Sequence, residues 1–463
     1  MSTAPRTSAL AEFIAGHTAE ELPAAVRTRT LEVILDGTGC LLAAANPAYS
    51  TGRLIAEHVG EQGGTPEASV VGHGFRTGAV HAALANGTMG YACDFEPHHP
   101  AAILHPIAVT IPAALAVGER VRASGRAFLA AVALGCEVEY RVSMALGPAA
   151  QYALGFHPSA VCGAFGATAA AANLLGLDVK AVGRALGLAA CQASGLMAWE
   201  SDPSENARPF QMGIAARNGV TAALLAANGF GGPPAVFDHG HTVFQAFSRA
   251  PRPELLTRDL GSRFDGVIEL AIKPYPCVSF LHPALDALFG LVGEHDLAAE
   301  DIESIVLRFP RSGVHCIDGN PLKSHCAQYV LAVAMVRGRL EVADLFVDRC
   351  AVDPRIATLG QRIRVEADDG DLEARFPDVY ASEIELRTVS GRTLSRRSDI
   401  ARGYPETPMT EDEIAAKFRE LAGSVAAPGR VAALEGAIAV LAEVADLSAY
   451  AELLRAPAEG QSS

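Results

Sequence analysis

The chain lacks the short motifs that mark the common enzyme classes. Its 463 residues hold no G-x-x-x-x-G-K-[ST] stretch, no G-x-G-x-x-G after a strand pattern, no H-E-x-x-H and no G-x-S-x-G. P-loop phosphoryl transfer, dinucleotide-dependent redox chemistry, zincin proteolysis and elbow-type serine hydrolysis are therefore not indicated. It also lacks any C-x-x-C. Nine scattered cysteines, an odd number, suit neither a disulfide framework nor a zinc or iron–sulfur site, so a reducing cytoplasm is the expected compartment. Positive charge is scarce. The net charge of −15 argues against nucleic acid and anionic membranes as partners. Lysine is scarcer still, confined to Lys180, Lys273, Lys323 and Lys417. The opening MSTAPRTSALAEF has no basic stretch leading into an apolar core, so no signal peptide is expected. The apolar runs are interrupted by His or Pro and read as buried helices, not membrane spans.

What the chain has is histidine before proline. Four of 14 histidines form His99-Pro100, His105-Pro106, His157-Pro158 and His282-Pro283, where random order gives about one such pair. Proline suits the first turn of a helix, where its missing N–H costs nothing. The apolar runs after Pro106, Pro158 and Pro283 therefore place three imidazoles at helix N-termini. Such a position attracts anions and favours a neutral imidazole able to accept a proton. This is chemistry suited to a carboxylate substrate.

Half the residues are apolar and 19% are charged, enough to bury a large core. From Ser8 to about Gly229 the pattern is helical and Ala-rich, with small residues that imply close helix packing. GFGGPPAVFDHG at 229–240 reads as a loop. After about Phe264 the texture changes. Segments 302–310, 362–368 and 382–397 alternate apolar and polar residues as half-buried strands, the last with a Ser-Gly hairpin turn. Helices are expected at 281–293, 325–337, 410–423 and 430–455, with Thr410 and Glu413 as a capping box. The expected fold is mainly α. An all-helical domain is built from 1–264 and 405–463, and a smaller α+β domain is inserted at 265–404. The tail EGQSS reads as disordered.

Five segments carry candidate chemistry. DFEPHHPAAILHP (94–106) holds two carboxylates and three histidines between two helices: Asp94, Glu96, His98, His99 and His105. GFHPSAVCGAFGATAAAANLLGLD (155–178) sets His157 at the mouth of a buried helix, fit for general base or acid work. ARPFQMGIAARNGV (207–220) brings Arg208 to the head of another helix, where a guanidinium can grip a carboxylate with two parallel bonds. IKPYPCVSFLHPALDAL (272–288) holds Lys273, Tyr275 and His282; Lys273, pinned between Ile and Pro-Tyr-Pro, suits a fixed positive charge. His325 and Cys326, at the start of the 325–337 helix, read as structural. No carboxylate stands at a helical metal-ligand spacing from the paired histidines, so no zinc site is expected.

In order and spacing these segments, with GFGGPPAVF and HCAQYVLAVAMVRGRL, resemble the MmgE/PrpD family over nearly the whole chain. Its members include 2-methylcitrate dehydratases, cis-aconitate decarboxylases and iminodisuccinate epimerases. The resemblance implies a helical domain with a smaller α+β lid, a homodimer, a site between the domains, and no metal or organic cofactor. Carried over, Asp94, His105, His157 and Lys273 take catalytic positions. His98, His99, Arg208, Tyr275 and His282 would meet a small polycarboxylate. Two departures bear on the substrate. Glu96-Pro97-His98-His99 replaces acidic residues followed by threonine, and Arg208 stands where many members have lysine. The HCAQY segment tilts toward the dehydratase branch. The leading expectation is a cytoplasmic hydro-lyase using histidine-mediated proton transfer next to a carboxylate. An epimerase, a decarboxylase and a non-catalytic carboxylate binder are the alternatives.

Overall fold

The computed structural model describes residues 5–377 and 379–456, so the tail EGQSS lies outside the described residues. The fold is mainly α. The described chain forms two compact units. The first takes residues up to 92, 96–271 and 410 onward; the second takes 93–95 and 272–409.

In the first unit the principal helices are α1 (Ala24–Ala44), α2 (Ala79–Tyr91), α3 (Ile107–Val121), α4 (Gly125–Leu146), α5 (Pro158–Leu174) and α6 (Ala207–Ala227). Helix α6 packs against α2 and α5, and α5 also packs on α3 and α4. The small residues set how near these axes come. A Cβ added to Gly213 would lie 2.2 Å from Thr88 Oγ1 and 2.4 Å from the Leu84 carbonyl, and one added to Gly87 would lie 2.9 Å from the Gly213 Cα. Backbone meets backbone there, and no larger residue fits. The helix Glu411–Gly423 returns to this unit and packs on α1, started by the Thr410–Glu413 capping box.

Several buried ionisable groups of this unit are paired or have their charged form disfavoured by burial. Lys417 Nζ lies 2.7 Å from Asp36 Oδ1 with both side chains buried. Burial raises the Asp36 carboxyl, and Lys417 opposes the rise. Glu137 accepts from Arg141 at 2.6 Å and from the Gly266 N–H at 2.8 Å, and burial still raises its carboxyl to about 7. These bonds hold residues 265–271, which sequence texture assigned to the inserted domain, with the first unit. Glu139 is fully buried and without a hydrogen-bond partner among the described residues, and desolvation pushes its carboxyl well up.

The second unit has its own core, with Leu285, Leu288, Ile305, Leu307, Leu331 and Ile384 all buried. Strands β1 (Ile302–Pro310), β2 (Ile363–Asp368), β3 (Ser382–Thr388) and β4 (Thr393–Ser398) form one sheet in the order β2-β1-β3-β4. β1 runs parallel to β2 and antiparallel to β3, with Leu307 opposite Ile384. β3 and β4 form the hairpin around Ser390-Gly391, where Gly391 has a φ of 84°. Helices α7 (His282–His295) and α8 (Ala327–Arg337) pack on this sheet and on each other. No described helix is long and apolar enough to cross a membrane.

Two outcomes follow from the buried charges. Lys417→Met should cost about 3–5 kcal/mol in urea unfolding, because Asp36 is left unpaired in the core. Adding Asp36→Leu should recover most of that loss. His99 gives a pH test: its ring is fully buried and burial lowers its pKa to about 4. Between pH 6.5 and 4 the unfolded chain binds a proton that the folded chain refuses, so low pH works against the parent. The stability gap between the parent and His99→Gln should narrow by about 2 kcal/mol from pH 7 to pH 5, measured as urea midpoints.

Candidate active site

Helix α5 opens as the sequence pattern predicts. His157 is its N-cap, with backbone φ −90° and ψ 108°, and Pro158 takes the first turn. His157 is 2% exposed. Its Nδ1–H donates to Gln211 Oε1 at 3.0 Å, which leaves the Nε2 lone pair as the proton acceptor. The pKa falls to about 3, chiefly through burial, with His105 and Arg208 adding repulsion. The direction matches the expectation from helix position, but desolvation is its main cause.

His105 stands one residue further from its helix than expected, because Pro106 is the cap of α3 and the helix begins at Ile107. Its Nδ1–H donates to the Glu96 carboxylate at 2.6 Å, its backbone N–H donates to Ser159 Oγ at 3.1 Å, and its ring meets Tyr91 edge-on at 4.6 Å. Ser159 sits in the first turn of α5, so this loop is pinned beside His157. The His98 ring stacks on His105 at 5.9 Å. His99 turns elsewhere: its ring stacks on Tyr140 at 4.7 Å and its Nε2–H donates to the Asp265 carbonyl at 3.3 Å.

Arg208, buried in the first turn of α6, has its Cζ 4.9 Å from the Tyr91 ring and 5.2 Å from the Trp199 ring. The Trp199 ring is 5.8 Å from His157. One cation, one neutral base and one carboxylate-backed imidazole therefore gather in the first unit, walled by two aromatic rings. Such a set can grip a carboxylate and move a proton beside it.

The second unit holds the other predicted residues. Lys273, 1% exposed, brings its Nζ to Asp94 Oδ1 at 2.6 Å, the Asp94 carbonyl at 3.1 Å and the Cys277 carbonyl at 3.4 Å. Asp94 has a φ of 48°, a left-handed backbone unusual outside glycine, and the ammonium clamps both its side chain and its carbonyl. The Tyr275 hydroxyl donates to Asp286 at 2.8 Å; burial, then Asp286, pushes the phenol well up. His282 is the first residue of α7, and its Nε2–H donates to the Cys277 carbonyl at 3.1 Å.

Tyr91, Trp199 and Gln211 escaped the sequence reading as site residues, and Glu96, named there as part of a titratable segment, was not matched to His105. Gln211 left a trace, since it lies one turn past Arg208 on the same face of α6. Glu96 and His105 are joined across a loop, which has no period to read. Among the described residues no cluster of three or more His, Cys, Asp or Glu is placed to hold a metal ion.

Residues 8–256 match the MmgE/PrpD N-terminal domain and residues 275–443 the MmgE/PrpD C-terminal domain. The chain is 29% identical to the cis-aconitate decarboxylase-like protein oryM of Aspergillus oryzae over 475 residues, 97% of each chain. It is 29% identical to the cis-aconitate decarboxylase of Mus musculus over 406 residues, 83% of this chain and 80% of the other. It is 32% identical to the 2-methylcitrate dehydratase of Cupriavidus necator over 206 residues, 42% of each. With both domain models matched in order along its length, the chain belongs to the MmgE/PrpD family.

Proposed function

We propose that the chain is a lyase of small di- or tricarboxylates whose first step is removal of a proton beside a carboxylate. The observation that carries this reading is a neutral His157 next to Arg208. A C–H beside a carboxylate is a very weak acid, so its removal needs a positioned base and a cation for the enolate charge. His157 Nε2 takes the proton. Arg208 holds the carboxylate on which charge builds. His105, fixed by Glu96, completes the clamp and carries a proton to or from the ligand. For Asp94 and Lys273 the proposal keeps the catalytic positions that the family resemblance implies, with Lys273 holding Asp94. Loss of a β-hydroxyl as water then gives an unsaturated acid. The enzyme works in the cytoplasm as a homodimer without metal or organic cofactor.

Decarboxylation is the second reading. It is favoured by the relatives named as cis-aconitate decarboxylases or cis-aconitate decarboxylase-like, three of which match 97% of this chain, whereas those named as dehydratases match about half of it or less. In that reaction a C–C bond to a carboxylate breaks, CO₂ leaves, and the electron pair left on carbon is protonated. Proton NMR in deuterated buffer separates the two. Citrate giving a vinyl signal without CO₂ supports dehydration; cis-aconitate giving CO₂ and a deuterated product supports decarboxylation. Exchange of a C–H with no net turnover points to epimerisation, and inertness toward every polycarboxylate tried overturns the proposal.

His157→Asn should lower turnover about a hundredfold or more with little change in melting temperature; near-normal turnover would remove His157 from the mechanism. Glu96→Gln should cost about tenfold in kcat with KM within about twofold, because only the support of His105 is lost. Steady-state kinetics on the folded variants read both.

A further inference from the structure

Trp199 is the one tryptophan in the chain and has no part in the proton chemistry above. It lies buried in the short 3-10 turn Met197–Ser201. The strap that leads to it is tied on two sides. The His157 N–H donates to the Gly195 carbonyl at 3.1 Å and the Met197 N–H to the Gly155 carbonyl at 2.9 Å. Gln211 Nε2 donates to the Leu196 carbonyl at 2.8 Å. Gly195 has a φ of 145°, and a Cβ there would sit 2.3 Å from the Ala160 side chain, so the strap rests directly on α5. The indole is thus fixed to the elements that carry the base and the cation, and its ring neighbours both.

A guanidinium, flat and weakly hydrated, accepts an aromatic face where a compact ammonium does not do so as well. Trp199 and Tyr91 therefore set where the Arg208 fork points. The same indole occupies space beside His157, where the carbon that loses its proton must lie. We propose that Trp199 is a specificity-determining residue: it orients Arg208 and limits the substituent on the carbon next to the held carboxylate, so the preferred substrates are polycarboxylates without an alkyl branch there. This deepens the function proposed above and rests on it.

The test compares citrate with 2-methylcitrate, which differ by one methyl group, by calorimetric titration of the full chain. The parent should bind citrate about tenfold or more tightly than its methylated form, the discrimination a close-fitting wall gives against one carbon. Trp199→Leu should bring the two within about threefold. Trp199→Phe, which keeps a ring over the cation, should retain most of the preference. Arg208→Lys should weaken citrate binding more in the parent than in Trp199→Leu. Since one indole reports all tryptophan emission, saturating citrate should also shift the parent's fluorescence, a reading that does not need a folded variant. Equal binding of the two acids by the parent, an unchanged ratio in Trp199→Leu or an unresponsive emission overturns the assignment. A parent that binds citrate but fails these readings sinks this inference alone; one that binds no polycarboxylate sinks the proposed function with it.

Discussion

Desolvation is the constraint on which the chemistry of the helical unit depends. The unit is built of apolar, small-residue helices, and an isolated charge inside it is costly. Several of its buried ionisable groups meet that cost either through a shift that disfavours the charged form or through pairing. His99, His157 and Glu139 take the first course, with imidazoles pushed down and the carboxyl pushed up. Asp36–Lys417 and Glu137–Arg141 take the second. A neutral imidazole held through its Nδ1–H beside a guanidinium is thus the state that this interior imposes, and it is also the state a general base requires.

The same principle separates roles among similar residues. His99 and His157 both precede proline, and both are buried and neutral. Both nitrogens of His99 are engaged, Nε2 by the Asp265 carbonyl and Nδ1 by the Ala102 N–H, so its neutrality serves packing. His157 is held through Nδ1 by a glutamine that is itself anchored to the Leu196 carbonyl. In the second unit Lys273 shows how a buried cation serves geometry. Its bonds to the side chain and carbonyl of Asp94 sustain a left-handed backbone conformation uncommon outside glycine.

Much of the fold was legible because it is periodic. Alternation of apolar and polar residues marked β1, β2 and the β3–β4 hairpin, and Thr410 with Glu413 marked the start of a helix. Helix entrances were legible through proline, which placed His157 at its cap and His282 at the head of α7. The partners of those histidines were not. The Glu96–His105 bond crosses nine residues of loop, and Trp199 reaches Arg208 from a strap whose course depends on tertiary bonds. Local pattern says where a side chain starts; three-dimensional packing decides what it meets. Length of contact hid the limits of the units too, since residues 265–271 are held by Glu137, far back in the sequence.

The glycine contact between α2 and α6 has a further consequence. Gly87 lies four residues before Tyr91, and Gly213 lies five after Arg208. The ring and the cation that meet across these helices are therefore spaced by main chain against main chain, with no side chain between to give way. Their alignment does not wait for a ligand to organise it, and it would survive wide variation in the surrounding side chains. The side chains around Tyr91 and Arg208 can therefore vary while the gauge between ring and cation stays fixed.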